Sequence, residues 1–194
     1  MRNLIENYIP FSKQEEKDKK AILQFMNHNN DYLLQSNLVA LMSSSAIVVN
    51  EEMKKVLFAY HNIYNSWGWV DGHNDGDDDP LNVAMKEVVE ETGIKNMKIY
   101  SEDIFILDVI YVFNHIKNGV YINDHLYLKA ISLMIVDEND KLTIKPDENS
   151  GVQWFDIDTV FDHVSEDRIK SVYKKAFNEI KRNNQNLKMI SKYL

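Results

Sequence analysis

The strongest constraint on the fold is the way extended and helical signals alternate along the chain. AIVVN at 46–50 and VLFAY at 56–60 are β-branched and aromatic runs separated by the polar EEMKK, which is the pattern of a hairpin. IFILDVIYVFN (104–114) and HLYLKAISLMIV (125–136) are longer strand-like runs, with the turn-rich KNGVYIND between them. After the turn DEND (137–140), VQWFDI (152–157) reads as one more short strand. Helical signals stand before, within and after this set. Ser12 and Glu15 form an S-x-x-E capping box opening a helix over 12–27, with Ala21, Ile22, Phe25 and Met26 at helical spacing. NHNND (27–31) breaks it, and a short helical piece is expected around Tyr32–Gln35. A second helix runs from Pro80 to Thr92, with Asp79 as N-cap, Pro80 at the first position and Gly93 as the stop. Ile169, Val172, Tyr173, Ala176, Phe177 and Ile180 repeat at helical spacing, so a third helix packs its apolar stripe on the sheet. The last dozen residues carry no decisive pattern. The class is α/β.

The 194 residues fit one domain with an appendage, and a hydrophobic content of 44% is enough for a core. Residues 1–36 are too short to hold a core of their own and read as an N-terminal helical extension; residues 37–194 form the main domain. The net charge of −8 argues against a protein that coats a nucleic-acid polymer. It fits a site that gathers divalent cations, and it equally fits plain solubility. Cysteine is absent, which excludes disulfides, thiolate metal sites and cysteine nucleophiles. The first twenty residues lack an apolar signal-peptide region, and no apolar run reaches membrane-span length. A cytoplasmic location without a membrane partner is expected.

Helix 80–92 presents Leu81, Ala84, Met85, Val88 and Val89 as an apolar side. Glu87, Glu90 and Glu91 gather along one edge, where they repel one another and oppose the C-terminal end of the helix dipole. A divalent cation would neutralise them, since hard ions take carboxylate oxygens. A solvated acidic face is the plainer account of EVVEE alone. The loop in front favours the metal, because its glycines let the backbone turn close to the same edge. A calcium loop starting at Asp71 fails: His73 holds its third position, and Asn82 holds the twelfth, where a bidentate glutamate is required.

The stretch GHNDGDDDPLNVAMKEVVEETGI resembles the Nudix box, G-x5-E-x7-R-E-U-x-E-E-x-G-U with U a bulky aliphatic residue. Gly72 opens it, and Glu87, Val88, Glu90, Glu91, Gly93 and Ile94 match. Asp78 stands where the family has glutamate and Lys86 where it has arginine; Asp71 replaces a glycine common before the box. NLVALMSSSAIVVN, the GH-x-DGD wording and PDENSGVQWFDID look like a bacterial Nudix subgroup whose substrates are mostly unassigned. The resemblance implies a Nudix α/β/α sandwich with a mixed sheet and a Mg²⁺- or Mn²⁺-dependent pyrophosphohydrolase acting on a small nucleoside diphosphate derivative. A homodimer is the expected assembly.

By the same resemblance, Glu87, Glu90, Glu91 and a carbonyl at Asp71 or Gly72 are metal ligands, and Lys86 orients the glutamates. A lysine cannot form the bidentate fork of the arginine it replaces, so looser positioning follows. Asp78 positions the glutamates or holds a metal-bound water. Glu148, six residues before Trp154, is the candidate general base, or else a turn residue of KPDENSG. His73 and His125 are candidate substrate contacts, with structural hydrogen bonding as the alternative. Tyr64, Trp67 and Trp69 stack on a base or belong to the core. A non-catalytic Nudix module that binds a nucleotide is the competing function. An isopentenyl diphosphate isomerase of the same fold is disfavoured by the missing cysteine.

Overall fold

The computed structural model describes residues 1–117 and 119–190. Its centre is the pairing of β1 (Ala40–Asn50) with β9 (His125–Val136), parallel along the whole of β1 from Ala40 opposite Leu126 to Asn50 opposite Val136. Every other strand pair is antiparallel, so the eight-stranded sheet is mixed. On the far side of β1 lie β2 (Lys55–His61), at Val48 and Val49, and β4 (Val70–His73), along Ser43–Ala46. β2 also carries β3 (Ser66–Gly68) and β10 (Asn149–Asp156). On the far side of β9 lie β5 (Lys98–Ile99) and β6 (Ile106–Val112). β7 (His115–Lys117) and β8 (Val120–Ile122) form a separate small hairpin. The expected 46–60 hairpin is therefore present. The glycine-rich loop ahead of the second helix, however, contains two short strands, and KNGVYIND contributes a strand pair of its own.

Side chains alternate across strands, so the two sheet faces take different helices. Ile47, Val49, Phe58, Ile131 and Leu133 pack against Tyr173, Ala176, Phe177 and Ile180 of α4 (Asp167–Ile190). Ala46, Val48, Leu57, Val70 and Met134 pack against Ala84 and Val88 of α3 (Pro80–Thr92). The result is an α/β/α sandwich with four α-helices among the described residues. Val89, expected on the apolar side of α3, is exposed, and Val83 is buried in its place.

The N-terminal layer is α1 (Arg2–Asn7) and α2 (Lys13–His28). Ile5, Tyr8, Ile22 and Met26 share one cluster with Met42, Leu107 and Leu128 of the sheet. The Ser12 hydroxyl caps α2 by accepting from the Glu15 N–H at 3.2 Å. The Glu15 carboxylate does not return to Ser12; it accepts from the Phe11 N–H at 3.2 Å and the Tyr8 hydroxyl at 2.7 Å. It also faces the Lys175 ammonium of α4 at 3.3 Å, so the capping box doubles as a tie between the two layers. Residues 32–35 are turns, not a helical piece. Leu34 and Asn37 each donate a backbone N–H three residues back, to Asp31 and Leu34, and the turn closes without extending. Among the described residues, no helix is long and apolar enough to cross a membrane.

Candidate active site

Helix α3 is fixed at both ends by its own residues. The Asp79 carboxylate accepts from the N–H groups of Leu81 and Asn82, both at 3.1 Å, and Pro80 fills the first helical position. Gly93 ends the helix in the left-handed region at φ 76°, and a Cβ there would overlap the Thr143 hydroxyl. The helix thereby holds Glu87 and Glu91 one turn apart beside β4. Gly72 of β4 lies directly under Glu87, where any Cβ would overlap the carboxylate.

Glu148 arrives from another element. It closes the turn before β10, and its neighbour Asn149, fully buried, donates its side-chain amide to the Glu91 carbonyl at 3.1 Å. Oxygens of Glu87, Glu91 and Glu148 consequently fall within 4.8 Å of one another. Glu91 Oε1 accepts from the Asp71 N–H at 3.3 Å, while Oε2 is buried with no hydrogen-bond partner. Burial, then the mutual repulsion of the carboxylates, pushes the Glu87 carboxyl up to about 8; burial likewise pushes Glu91 up to about 8. A three-carboxylate set with an orphaned buried oxygen suits a hard divalent cation, because it lacks positive charge where desolvation is most costly.

Glu90 stands apart. It is exposed, and its carboxylate accepts from the Lys145 ammonium at 2.8 Å. Lys145 also meets Glu148 at 3.1 Å and so joins the outer edge of α3 to the turn before β10. Lys86 reaches none of the glutamates: its ammonium donates to Asp77 at 3.1 Å. Asp77 also receives the Asn82 amide at 2.9 Å, and the Asp79 N–H with Lys86 holds its carboxyl below the usual range. Asp78, aligned with the family glutamate, is exposed, and its carbonyl accepts from the Met1 ammonium.

The carboxylates open into a cavity of about 620 Å³ that also reaches Trp69, His73, His125 and the β7–β8 hairpin. His73 Nε2 meets the Tyr127 hydroxyl at 2.8 Å, and His125 Nδ1 meets the Asn123 carbonyl at 2.8 Å. Trp69 is buried, with its ring edge-on to Tyr173 at 4.5 Å. Its carbonyl lies 2.9 Å from His61 Nε2, whose ring presents Nδ1 to Glu91 Oε2 at 3.9 Å. Burial draws His61 and His73 below their ordinary values.

Lys129, like Lys145, Asn149 and His61, went unnoticed in the sequence. Lys129 of β9, 3% exposed, ion-pairs with the Asp71 carboxylate. Asp71 also accepts from the hydroxyls of Ser43 at 2.7 Å and Ser45 at 2.8 Å. Burial alone would raise the Asp71 carboxyl; Lys129 and the two hydroxyls hold it down. The available signals were a lone lysine in the apolar run HLYLKAISLMIV, an aspartate in a common glycine position, and the serines of LMSSSAIVVN.

The family model of the NUDIX domain matches residues 41–177. The chain belongs to the NUDIX domain family, whose enzymes are hydrolases acting on phosphorus-containing acid anhydrides. No curated protein matches it. Among solved structures, the MutT protein from Methanosarcina mazei Go1 is similar at TM-score 0.53 and 16% identity, over 76% of this chain and 97% of that one. The dihydroneopterin triphosphate pyrophosphohydrolase of E. coli is similar at TM-score 0.51 and 15% identity, over 75% and 95%. A NUDIX-family hydrolase from Clostridium perfringens gives TM-score 0.51 and 15% identity, over 71% and 95%. At such identities these likenesses speak for the fold.

Proposed function

We propose that this chain is a Mg²⁺- or Mn²⁺-dependent pyrophosphohydrolase that cleaves the diphosphate linkage of a small nucleoside diphosphate derivative. The observation that carries the reading is the convergence of Glu87, Glu91 and Glu148 at one end of the cavity, with Glu91 Oε2 buried and unpartnered. Glu87, Glu91 and the Gly72 carbonyl would hold the cation, while Glu90, paired with Lys145, lies outside that set. A divalent ion bound there supplies neutralisation of phosphate charge and a lowered pKa for the attacking water. The Glu148 carboxylate, paired with Lys145 at 3.1 Å, would accept a proton from the attacking water. Lys86 and Asp78 act on the loop in front of α3, Lys86 through Asp77. His73 and His125 line the path of the substrate, and Trp69 supports that wall from within the core.

The placement of Lys86 on Asp77, away from the glutamates, favours a second reading as a nucleotide-binding module without turnover. Purified protein with Mg²⁺ or Mn²⁺ and a panel of sugar nucleotides, dinucleoside polyphosphates and nucleoside triphosphates separates the two. Hydrolysis that is lost on chelation and falls at least about a hundredfold in both Glu87→Gln and Glu91→Gln supports the enzyme, as losing charge stabilisation costs some 2.7 kcal/mol or more. Tight binding without turnover of any compound supports the module.

A further inference from the structure

His61, on the cavity wall, has its ring tautomer set by a neighbour and its second nitrogen left open to the acidic end. It ends β2, opposite Ser66 of β3 and Asn149 of β10, so the sheet register sets it beside the turn that carries Glu148. Gly68 makes room for the ring: a Cβ there would come within 3.2 Å of His61 Cδ2 and 2.8 Å of the Tyr173 hydroxyl. Nε2 lies 2.9 Å from the Trp69 carbonyl, which can only accept, so Nε2 carries the ring proton. Nδ1 then keeps its lone pair and faces Glu91 Oε2 at 3.9 Å. Glu91 Oε2 is the buried oxygen without a hydrogen-bond partner. The gap between the two atoms is too wide for a shared proton and suits a cation.

We propose that His61 Nδ1 is a nitrogen donor to the cation of this site, and that it turns the site's preference from Mg²⁺ toward dications that take imidazole, such as Co²⁺ and Zn²⁺. The proposal rests on the cation site of the hydrolytic reading and does not depend on turnover. Two donors on one such ion, with bonds of about 2.1 Å each, stand between ~3.0 Å apart at right angles and ~4.2 Å apart when opposite. The 3.9 Å between Nδ1 and Oε2 falls inside that range. A ligating histidine ordinarily donates its other ring N–H to a carbonyl or carboxylate, which fixes the tautomer and the direction of the lone pair. The Trp69 carbonyl does this for His61. Mg²⁺ favours oxygen throughout and gains little from an imidazole, whereas Co²⁺ and Zn²⁺ bind it well. Transition dications outbind Mg²⁺ at most sites, so the mark of His61 is the change in that ratio when its nitrogen is removed.

The test measures metal binding in the absence of substrate. Mn²⁺ bound to the parent protein is expected to show, in pulsed electron paramagnetic resonance, the nitrogen coupling of a directly bound imidazole. That coupling is expected to vanish in His61→Gln, whose amide can still donate to the Trp69 carbonyl, and to persist in His73→Gln. In calorimetric titrations His61→Gln is expected to weaken Co²⁺ binding by about tenfold or more and to leave Mg²⁺ nearly unchanged; thermal melting checks that the variant is folded. Bound Mn²⁺ without nitrogen coupling in the parent, or Co²⁺ and Mg²⁺ weakened alike in the variant, overturns the proposal and leaves the hydrolase reading on an all-oxygen site. Nitrogen coupling without turnover of any diphosphate upholds the proposal and sinks the hydrolase reading. No dication bound at all removes the site, and both readings with it.

Discussion

At the scale of single residues, the pair Asp71–Lys129 is the least ordinary choice in the molecule. Three strands meet there, with Ser45 opposite Asp71 and Ser43 opposite Lys129, so the sheet register brings both charges and both hydroxyls to one face. Asp71 also lends its backbone N–H to Glu91, which couples the pair to the acidic edge of α3. Removing one partner leaves the other charge stranded, whereas removing both costs less. Lys129→Met is expected to lower unfolding free energy by about 3 kcal/mol, and Asp71→Asn with Lys129→Met by clearly less. Urea unfolding midpoints at unchanged slope measure both. A single variant as stable as the parent would mean that Asp71 and Lys129 are buried as neutral groups and not as an ion pair.

At the scale of elements, α3 is a helix whose sequence works against itself at one edge, and pH exposes the conflict. The unfolded chain ionises its glutamates near pH ~4.3, while burial delays Glu87 and Glu91 to about 8. Below the unfolded value both states are protonated and the folded form keeps its full advantage. Between that value and about 8 the unfolded chain has released protons that the folded one still holds, so the advantage drains away as pH rises. In EDTA the melting temperature is expected to fall from mildly acidic to mildly alkaline pH. The increment given by Mg²⁺ should widen over the same range, because the cation binds the ionised forms. An increment independent of pH would place the cation elsewhere.

The same helix explains what could be read in advance. Asp79, Pro80 and Gly93 act through backbone geometry within a few residues, so the ends of α3 were legible, as was the box that places Glu87 and Glu91. β3 and β4 were not. Each is three or four residues long, rich in glycine and polar side chains, and extended only because β2 and β1 offer free edges. Lys86 shows the limit at the site: alignment assigns the neighbouring role to Asp78, yet the loop turns Asp77 toward the ammonium. A one-residue choice of that kind depends on Asp75 and Gly76 adopting positive φ, at 46° and 92°, which no spacing rule encodes.

At the scale of the whole molecule, the parallel ladder between β1 and β9 has a consequence in time. Residues 40–50 can pair with residues 125–136 only after the intervening chain has been gathered, and that chain contains the whole of α3 and β4. Contacts so distant in sequence close slowly. The hairpin of β1 with β2 and the isolated helix can form early, but the three carboxylates lie on segments that the central ladder brings into register last. During refolding in the presence of Mn²⁺, the paramagnetic signal of bound metal is expected in the slowest phase, after most helical ellipticity has returned. Metal capture in an early phase would mean that α3 and the turn before β10 meet without the sheet. Until that last closure the chain has the carboxylates of the proposed cation site and no place to put an ion; the site would be a late product of folding.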